Sequence, residues 1–454
     1  MTQLKFFGGV NEVGGNKFLL EDGKARVFLD FGKNFTREGR FFDEPWISPR
    51  EVEHLLELGL LPNLPGLYKH DETHETAIDA VLISHPHTDH YDAIRWLRDA
   101  IPAYGTEAAR AVILAREYAG GGSRAKEYKI GNWTKTDGPQ PLRTLAEIRP
   151  GRPIEIAGLT VTAFEVDHSV AGAVGYVVET SAGNVAYSGD FRLHGPRGKS
   201  TQDFLDAARA HDPAAFLIEG THVEESRVAS EKEVQEKVHG IVEQTRGLVV
   251  TGFAVADIDR LTTFYNVARE TDRTLVMTTK QAFLADQVAV AGASLGFDLN
   301  SETVRFYRKE KKTTYPWEDY LHDKYPSHVT DAADVREAQG ESILVASLTD
   351  MLALPAIDPV PGSVYIQSSS EPFSEEMEIS QGRLEAWLER FGLPLFQIHA
   401  SGHATVHDLR HAVETVRARR TYLVHTSNAI LYQRFLSGLG FETVAPVEGT
   451  AYPI

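Results

Sequence analysis

The stretch Ser84-His85-Pro86-His87-Thr88-Asp89-His90 contains four metal-capable side chains within six positions. His85 and His87 are two residues apart, so on an extended chain both imidazoles project to the same side and can share one ion. Asp89 and His90 follow at a turn, so we expect their side chains to point away from the side that His85 and His87 share. The spacing therefore predicts two pairs of ligands that serve two metal ions. A solvated cluster of histidines is the alternative.

The chain on either side places this cluster between a strand and a helix. Residues 77–83 form an apolar run that is typical of a buried strand. From Tyr91 onward, apolar residues recur at helical spacing as far as Ile101. The cluster is therefore predicted to lie in a strand-to-helix loop, and this context makes a chance cluster the weaker explanation.

Composition limits both the fold and the metal. A chain of 454 residues, 42% of them apolar, is too long for one ordinary core, and we expect two domains of α/β type. The sequence contains no cysteine, which excludes thiolate ligands, so nitrogen and oxygen atoms must hold any metal. This favours zinc, with manganese as the alternative.

Charge and hydropathy limit the partners. No apolar run approaches the length of a membrane span and the amino terminus lacks the pattern of a signal peptide, so we expect a soluble cytoplasmic protein that binds no membrane. The net charge of −18 argues against non-specific adhesion to nucleic acid. Two bound divalent ions would nevertheless add four positive charges in one place, where a polyanion could be attracted.

Two further strand ends carry metal-capable residues. The predicted strand at 160–166 is followed by Asp167-His168-Ser169, and the one at 185–188 by Gly189-Asp190-Phe191. Each could be structural by itself. Beside the first cluster, His168 and Asp190 are better explained as ligands.

Two earlier features adjoin the predicted metal loop. Asp30, at the end of the predicted strand at 25–31, could accept a hydrogen bond from a metal-binding residue; a simple turn aspartate is equally compatible. The glycine-rich connection at 7–16 is predicted to serve tight turns, because no helical pattern follows it.

Six of these residues follow the order and spacing of a known type of metal site: His85, His87, Asp89, His90, His168 and Asp190. They resemble the dinuclear site of the metallo-β-lactamase fold. The resemblance implies a four-layer αββα sandwich whose ligand loops gather at one edge. Because this fold serves hydrolases of many substrates, it does not by itself choose one.

A domain-sized segment interrupts the strand-end motifs. After the predicted strand at 215–218, helices and strands alternate from about residue 232 to residue 292, which is typical of an α/β domain. Glu219 precedes this segment. Ser401-Gly402-His403 and then His425 follow it, again beside predicted strands. The arrangement resembles the β-CASP branch of the superfamily and, within it, the ribonuclease J-like nucleases.

This resemblance implies the fold class and the domain boundaries. We expect an α/β protein in which a metallo-β-lactamase αββα sandwich carries an inserted β-CASP α/β domain. The sandwich would comprise residues 1–222 and 380–454, and the insert residues 223–379.

The resemblance also implies the ligands of each ion. One ion would be held by His85, His87 and His168. The other would be held by Asp89, His90 and His425, with Asp190 bridging the two. Two such ions would activate a shared water and neutralise the oxygens of a phosphodiester.

The predicted catalytic residues are Asp89, Asp190, Glu219 and His403. A histidine paired with a carboxylate keeps its proton near neutral pH, so His403, oriented by Glu219, could protonate the leaving oxygen. Ser401 and His403 also match the position at which ribonuclease J-like enzymes hold the terminal phosphate. A turn that starts a helix is the alternative explanation of Ser401-Gly402-His403.

The function implied is that of a zinc-dependent ribonuclease with 5′-to-3′ exonuclease activity on 5′-monophosphorylated RNA, with internal cleavage as a further option. A DNA nuclease of the same branch, acting on single-stranded DNA, is one alternative. A metal-bound RNA-binding protein without turnover is another, because His425-Thr426-Ser427 stands where ribonuclease J commonly has His-Gly-Glu. A homodimer is compatible with the sequence.

A basic and aromatic run lies within the predicted insert, Arg305-Phe306-Tyr307-Arg308-Lys309-Glu310-Lys311-Lys312. Such a run could stack bases and contact phosphates. A solvated protein surface is the commoner explanation of a charge run.

Overall fold

The computed structural model describes residues 1–43, 46–73, 75–120, 126–223, 229–371 and 375–454. The chain divides into two compact units. The first unit comprises residues 1–132, 139–227 and 402–454, and the second comprises residues 133–138 and 228–401.

The first unit contains two seven-stranded sheets. In spatial order, the strands of the first sheet are Ala451–Pro453, Thr2–Phe6, Phe18–Asp22, Ala25–Leu29, Ala80–Leu82, Ala103–Gly105 and Leu145–Glu147. Ala80–Leu82 is fully buried and runs parallel to Ala25–Leu29, so the chain leaves both strands at the same edge. Asp30 and Ser84 therefore start from neighbouring positions.

The strands of the second sheet are, in spatial order, Thr443–Val444, Arg420–Leu423, Pro213–Ile218, Gly183–Tyr187, Val174–Thr180, Leu159–Glu165 and Ile154–Ile156. Gly183–Tyr187, Pro213–Ile218 and Arg420–Leu423 are parallel. Leu159–Glu165 points the same way, because Val174–Thr180 pairs antiparallel with strands on both of its sides. The chain therefore leaves all four strands at one edge.

The two sheets pack face to face around a shared apolar core. Phe6, Phe18 and Leu82 of the first sheet and Tyr176 and Leu217 of the second belong to one buried cluster. Complete burial of such a side chain contributes about 1.5–3 kcal/mol.

Helices cover the outer face of each sheet. Those against the first sheet are Val52–Glu57 and Glu107–Gly120. Those against the second are Gly198–Ala210, Val406–Val416 and Ala429–Ser437. The expected αββα sandwich is confirmed. Shorter elements of this unit are helices Phe35–Glu38 and Thr88–Tyr91 and the 3-10 turns Asp92–Trp96 and Lys126–Tyr128. Strands Gly131–Thr134 and Gly138–Pro141 form a separate two-stranded sheet.

The helix predicted from Tyr91 to Ile101 is wrong in length. One α-helical turn, Thr88–Tyr91, passes into the 3-10 turn Asp92–Trp96, and the backbone becomes extended at Leu97. Leu97 instead pairs with Tyr68 in an isolated bridge. Ala93, Ile94, Leu97 and Ile101 are buried and Ala100 is exposed, and a tertiary contact ends the helix that their spacing indicated.

The second unit is built on one seven-stranded sheet in which every pairing is parallel. In spatial order its strands are Val329–Thr330, Val304–Tyr307, Thr274–Thr278, Ser342–Val345, Val249–Gly252, Val364–Gln367 and Leu395–Gln397. Its α-helices are Glu231–Gln244, Ile258–Glu270, Thr279–Val290, Pro316–Lys324, Ala332–Glu337, Leu354–Ile357 and Glu375–Phe391. Its 3-10 turns are Pro326–His328, Gln339–Glu341 and Leu348–Ala353.

Local sequence accounts for several of these helix starts. Ser230 with Glu233, and Thr278 with Gln281, form capping boxes that satisfy the first backbone amides of their helices. The second unit has alternating helices and strands, and strand Leu395–Gln397 completes its sheet. The insert of residues 223–379 stays a prediction.

Among the residues that the structure describes, no helix has the length and apolarity needed to cross a membrane.

Candidate metal centre

Strand ends of the first unit bring the predicted ligands together. His85 and His87 follow Ala80–Leu82 of the first sheet. His168, Asp190 and His425 follow three strands of the second sheet that point the same way. Groups of potential ligand atoms within 4.8 Å of one another are formed by His85, His87, His168 and Asp190; by Asp89, His90 and His425; and by Asp190, His403 and His425.

The first ligand group consists of His85, His87 and His168. Nδ1 of His87 lies 3.1 Å from Nε2 of His85 and 3.0 Å from Nε2 of His168. Oδ2 of Asp190 lies 3.5 Å from Nε2 of His85. Three imidazole nitrogens and one carboxylate oxygen around one point suit a divalent cation such as zinc.

The second ligand group consists of Asp89, His90 and His425. Oδ2 of Asp89 lies 3.6 Å from Nε2 of His90 and 3.7 Å from Nε2 of His425. The same two nitrogens each lie 3.1 Å from Oδ2 of Asp190. One oxygen of Asp190 therefore faces both ligand groups.

The carboxylate of Asp190 fits a cation by a second observation. Its Oδ1 is buried and has no hydrogen-bond partner among the described residues. Burial tends to raise the pKa of Asp190, but the electrostatic interactions with His425, His90 and His85 outweigh it and hold that pKa well below its usual value. A buried, ionised carboxylate with an unpartnered oxygen needs a compensating charge, which a bound divalent ion supplies. The fold and this His/Asp cluster indicate divalent metal binding.

Asp30 orients the histidines behind the ligand atoms. Its carboxylate accepts hydrogen bonds from His90 Nδ1 at 2.7 Å, from the amide and hydroxyl of Ser84 at 2.7 Å each, and from Tyr187 Oη at 2.6 Å. Because Ser84 gives its proton to Asp30, its oxygen accepts from His85 Nδ1 at 3.0 Å. Nε2 of both histidines is left to face the cation position. The hydrogen bond predicted between Asp30 and this loop is confirmed.

His168 is oriented by backbone. Its Nδ1 donates to the carbonyl of Gly402 at 2.5 Å, which leaves Nε2 as the ligand atom. A Cβ on Gly402 would lie 2.9 Å from His168 Cε1, so only glycine permits this approach. The neighbouring Asp167 and Arg192 form a fully buried ion pair at 3.0 Å that joins the loops of His168 and Asp190.

His425 is held by the glycine-rich connection at 7–16. The amide of Gly14 donates to His425 Nδ1 at 2.8 Å, and Nε2 of His425 faces Asp190 Oδ2 at 3.1 Å. From the same connection, Nδ2 of Asn16 lies 3.0 Å from Nε2 of His90. Sequence analysis assigned these residues only to turns and missed their contacts with the site. The Gly14-Gly15-Asn16 sequence was the one local signal.

Glu219 and His403 form a pair beside the second ligand group. Nδ1 of His403 lies 3.1 Å from Glu219 Oε2, 3.2 Å from Thr221 Oγ1 and 3.7 Å from Asp190 Oδ2. Burial tends to lower the pKa of His403, but the charges of Glu219 and Asp190 outweigh it and raise that pKa to about 9. Burial tends to raise the pKa of Glu219, but His403 outweighs it and keeps that pKa low.

His403 also differs from the ligands in exposure. Its side chain is 22% exposed, whereas His85 and His90 are inaccessible. A protonated, partly exposed imidazole beside Asp190 can donate a proton or a hydrogen bond to a bound molecule. Ser401, the other predicted phosphate ligand, is buried and belongs to the second unit, so its role stays a prediction.

The two ligand groups differ in protonation. Burial holds the pKa values of His85 and His87 well below the usual histidine value and lowers that of His168 to about 3. Burial also tends to lower the pKa of His90. There the carboxylates of Asp190, Asp89 and Asp30 outweigh it, and the pKa is raised well above its usual value.

Comparisons with known proteins identify relatives of this chain. Residues 60–245 match the family described as Beta-lactamase superfamily domain. Ribonuclease J of Mycoplasma pneumoniae is 22% identical over 439 residues, which cover 93% of this chain and 68% of that protein. Ribonuclease J of Mycobacterium tuberculosis is 26% identical over 262 residues, or 56% of this chain and 40% of that protein. Ribonuclease J 2 of Streptococcus pyogenes is 24% identical over 286 residues, which cover 61% of this chain and 46% of that protein. The chain thus spans between two fifths and about two thirds of the length of these relatives.

A solved structure shows the same fold. It is the crystal structure of a protein of unknown function from Enterococcus faecalis V583, with a TM-score of 0.78, 20% sequence identity and coverage of both whole chains. At this identity the likeness concerns the fold alone.

Proposed function

We propose that this chain, which is a ribonuclease J-like member of the metallo-β-lactamase superfamily, hydrolyses phosphodiester bonds in RNA with two bound metal ions. The observation that carries the proposal is the position of Asp190 Oδ2, which lies 3.5 Å from Nε2 of His85 in the first ligand group and 3.1 Å from Nε2 of His90 and of His425 in the second. A single carboxylate oxygen placed between two sets of ligands is suited to bridge two cations.

Zinc is the metal that we propose. The ligands are five imidazoles and two carboxylates, without any thiolate, and zinc accepts such a set in an open site; manganese is the alternative. When bound, such ions lower the pKa of a coordinated water toward about 7 and neutralise charge on the phosphate.

The chain's own residues would then handle the proton of the leaving group. Nδ1 of His403 is bonded to Glu219, so the proton that His403 can release is the one on Nε2. Transfer of this proton to the leaving oxygen would leave a neutral imidazole and a free hydroxyl. Glu219 keeps the ring oriented throughout, because its carboxylate is itself held by the amides of Phe191 and Thr221.

We further propose that cleavage runs from the 5′ end of monophosphorylated RNA. The support is the Ser401-Gly402-His403 sequence, which resembles the terminal-phosphate site of ribonuclease J-like enzymes, together with the ribonuclease J relatives. Internal cleavage would use the same centre. The second unit would be the β-CASP insert, and the cytoplasm the place of action.

The test uses the purified full chain, freed of metal by chelation and restored with zinc or manganese. Its substrates are RNAs of one sequence, labelled at the 3′ end, that carry a 5′-monophosphate, 5′-triphosphate or 5′-hydroxyl. We expect release of nucleotides from the 5′ end of the monophosphate RNA only after metal is restored. Absence of cleavage in either metal would reject the proposal, and equal cleavage of single-stranded DNA would favour a DNA nuclease.

A further inference from the structure

We propose that residues 308–315 of the second unit are a binding site for the phosphates and bases of single-stranded RNA. This inference rests on the proposed function for the identity of the polymer. The segment follows strand Val304–Tyr307 at the carboxyl edge of the parallel sheet and ends at helix Pro316–Lys324. Ligands of open parallel sheets bind at that edge, so the location itself favours a site.

The segment is basic within an acidic protein. Residues 308–312 comprise four cations and one anion, a net charge of +3 in a chain of net charge −18, and all five are exposed. Lys309 pairs with Asp350 at 2.5 Å, and Lys311 bonds to Glu318 at 2.5 Å. Arg308 and Lys312 have no ion-pair partner among the described residues. At least two cations are therefore available to phosphate groups.

An exposed aromatic ring lies beside these cations. Tyr315 is 55% exposed, and its ring lies at 10° to that of Trp317, with 6.4 Å between centroids. Trp317 is buried against Phe283, so the tyrosine is backed by the core of the unit. Nζ of Lys311 lies 5.0 Å from the centroid of the Tyr315 ring. A supported ring next to a lysine is an arrangement on which a base can stack while its phosphate meets the cation.

A histidine of the following helix adds a third observation. Nε2 of His322 is buried and has no hydrogen-bond partner among the described residues. Burial lowers the pKa of His322, Glu318 opposes this, and the charges of Arg308 and Lys311 lower it further. The neutral ring therefore has an unpartnered nitrogen close to two cations. This nitrogen could donate a hydrogen bond to a phosphate oxygen. A basic surface that is only solvated does not explain an unpartnered buried nitrogen or an exposed tyrosine packed on a buried tryptophan.

The experiment measures binding without turnover. The full chain is kept in chelator, and a fluorescent single-stranded oligouridylate is titrated by anisotropy, beside an oligonucleotide of the same backbone that lacks its bases. The variants are R308Q/K312S, which removes two unpaired charges, and Y315A, which removes the ring. Lys199→Ser and Trp46→Ala, both at exposed positions of the first unit, are the matched controls.

We expect R308Q/K312S to weaken binding of both oligonucleotides and to reduce the slope of log affinity against log salt by about 1.4, the value for two phosphate contacts on a single strand. We expect Y315A to weaken binding of the oligouridylate by about tenfold, the scale of one lost base stack, and to leave the base-free oligonucleotide unaffected. The controls should bind as the parent protein does.

Binding of the oligouridylate by both variants with parent affinity would overturn the inference, as would failure of the parent protein to bind it. Equal weakening by Y315A with and without bases would overturn the stacking role. Weaker binding by the variants, combined with a parent protein that cleaves no RNA in any metal, would support the inference while rejecting the proposed catalytic function. The two proposals can therefore fail separately.

Discussion

The two ligand groups of the candidate metal centre share Asp190 but have opposite electrostatic character. The first group, His85, His87 and His168, consists of imidazoles whose pKa values burial has lowered. The second adds the carboxylate of Asp89 and has Asp30 behind His90, and the pKa of His90 is raised.

This difference indicates how each group would receive a cation. The first group is already in the deprotonated form that a metal ligand needs. The second group holds a proton that the cation must displace, but it offers more negative charge once the proton has gone. Binding of the two ions should therefore respond differently to substitution and to pH.

Asp190→Ala should have the largest effect, because it removes the one oxygen that faces both groups. We expect loss of both ions and a fall in RNA cleavage of more than about a thousandfold, which corresponds to roughly 4 kcal/mol of lost charge stabilisation. Metal content per protein and single-turnover rates would measure this, with the exposed Asp206→Ala as control. Retention of both ions or of near-full activity would show that Asp190 is not a bridge.

Asp30→Asn should separate the two groups. The amide cannot accept all the hydrogen bonds that the carboxylate receives from His90, Ser84 and Tyr187. We expect the affinity of the second group to fall by about ten- to a hundredfold, the usual effect of removing a partner behind a metal ligand. Titration with cobalt, followed by its absorption spectrum, would measure each ion. Equal weakening of both groups would mean that the relay through Ser84 to His85 matters as much as the direct bond to His90.

The proton bound to the second group should make its metal affinity depend on pH. The pKa of His90 is raised, so a cation must compete with its proton at every pH below this pKa. In that range, the metal affinity should increase about tenfold for each unit by which the pH rises. The pKa of His168 is about 3, so the first group should show no such dependence near neutral pH. Calorimetric titration in buffers of different ionisation enthalpy counts the protons released. The second ion should release at least one proton more than the first, and equal release would remove the distinction.

The smallest expected effect concerns the hydroxyl of Tyr187, which donates to Asp30 at 2.6 Å. Tyr187→Phe should lower the free energy of unfolding by about 1.5 kcal/mol, since the acceptor is a carboxylate. Tyr176→Phe is the matched control, because that hydroxyl is also buried but donates to the neutral carbonyl of Ile83 at 2.7 Å. Urea unfolding of the metal-free proteins would compare them. A greater loss for Tyr176→Phe would contradict the stronger hydrogen bond that we expect between Tyr187 and the carboxylate of Asp30.

Local sequence patterns predicted much of this site. The spacing from His85 to His90, the ends of predicted strands before His168 and Asp190, and the family resemblance for His425 identified residues that the structure brings together. This worked because β-strands have a strong short-range signal and because parallel strands deliver the residues after them to one edge. The same reasoning predicted a helix to Ile101 that the structure lacks, since helical spacing does not reveal the bridge between Tyr68 and Leu97.

No comparable sequence pattern predicted the contacts that orient the ligands. Gly14 and His425 are 411 positions apart, and Gly402 and His168 are 234 positions apart. In both pairs the partner group is a backbone amide or carbonyl, which every residue type provides. Asp167 and Arg192 likewise appear in the sequence as ordinary charged residues, and only burial makes them an ion pair.

The sequence by itself determined which metal-binding groups are present, the absence of thiolates and the alternation of strands and helices, and its resemblance to the metallo-β-lactamase fold implied the αββα sandwich with an α/β insert. Composition and periodicity are properties of short segments, so they can be read without the fold. Only the tertiary structure decided that one oxygen of Asp190 faces two ligand groups, which nitrogen of each histidine is left for a cation, and that the second unit extends to residue 401. These depend on distances and hydrogen bonds between residues far apart in the chain, which packing alone determines.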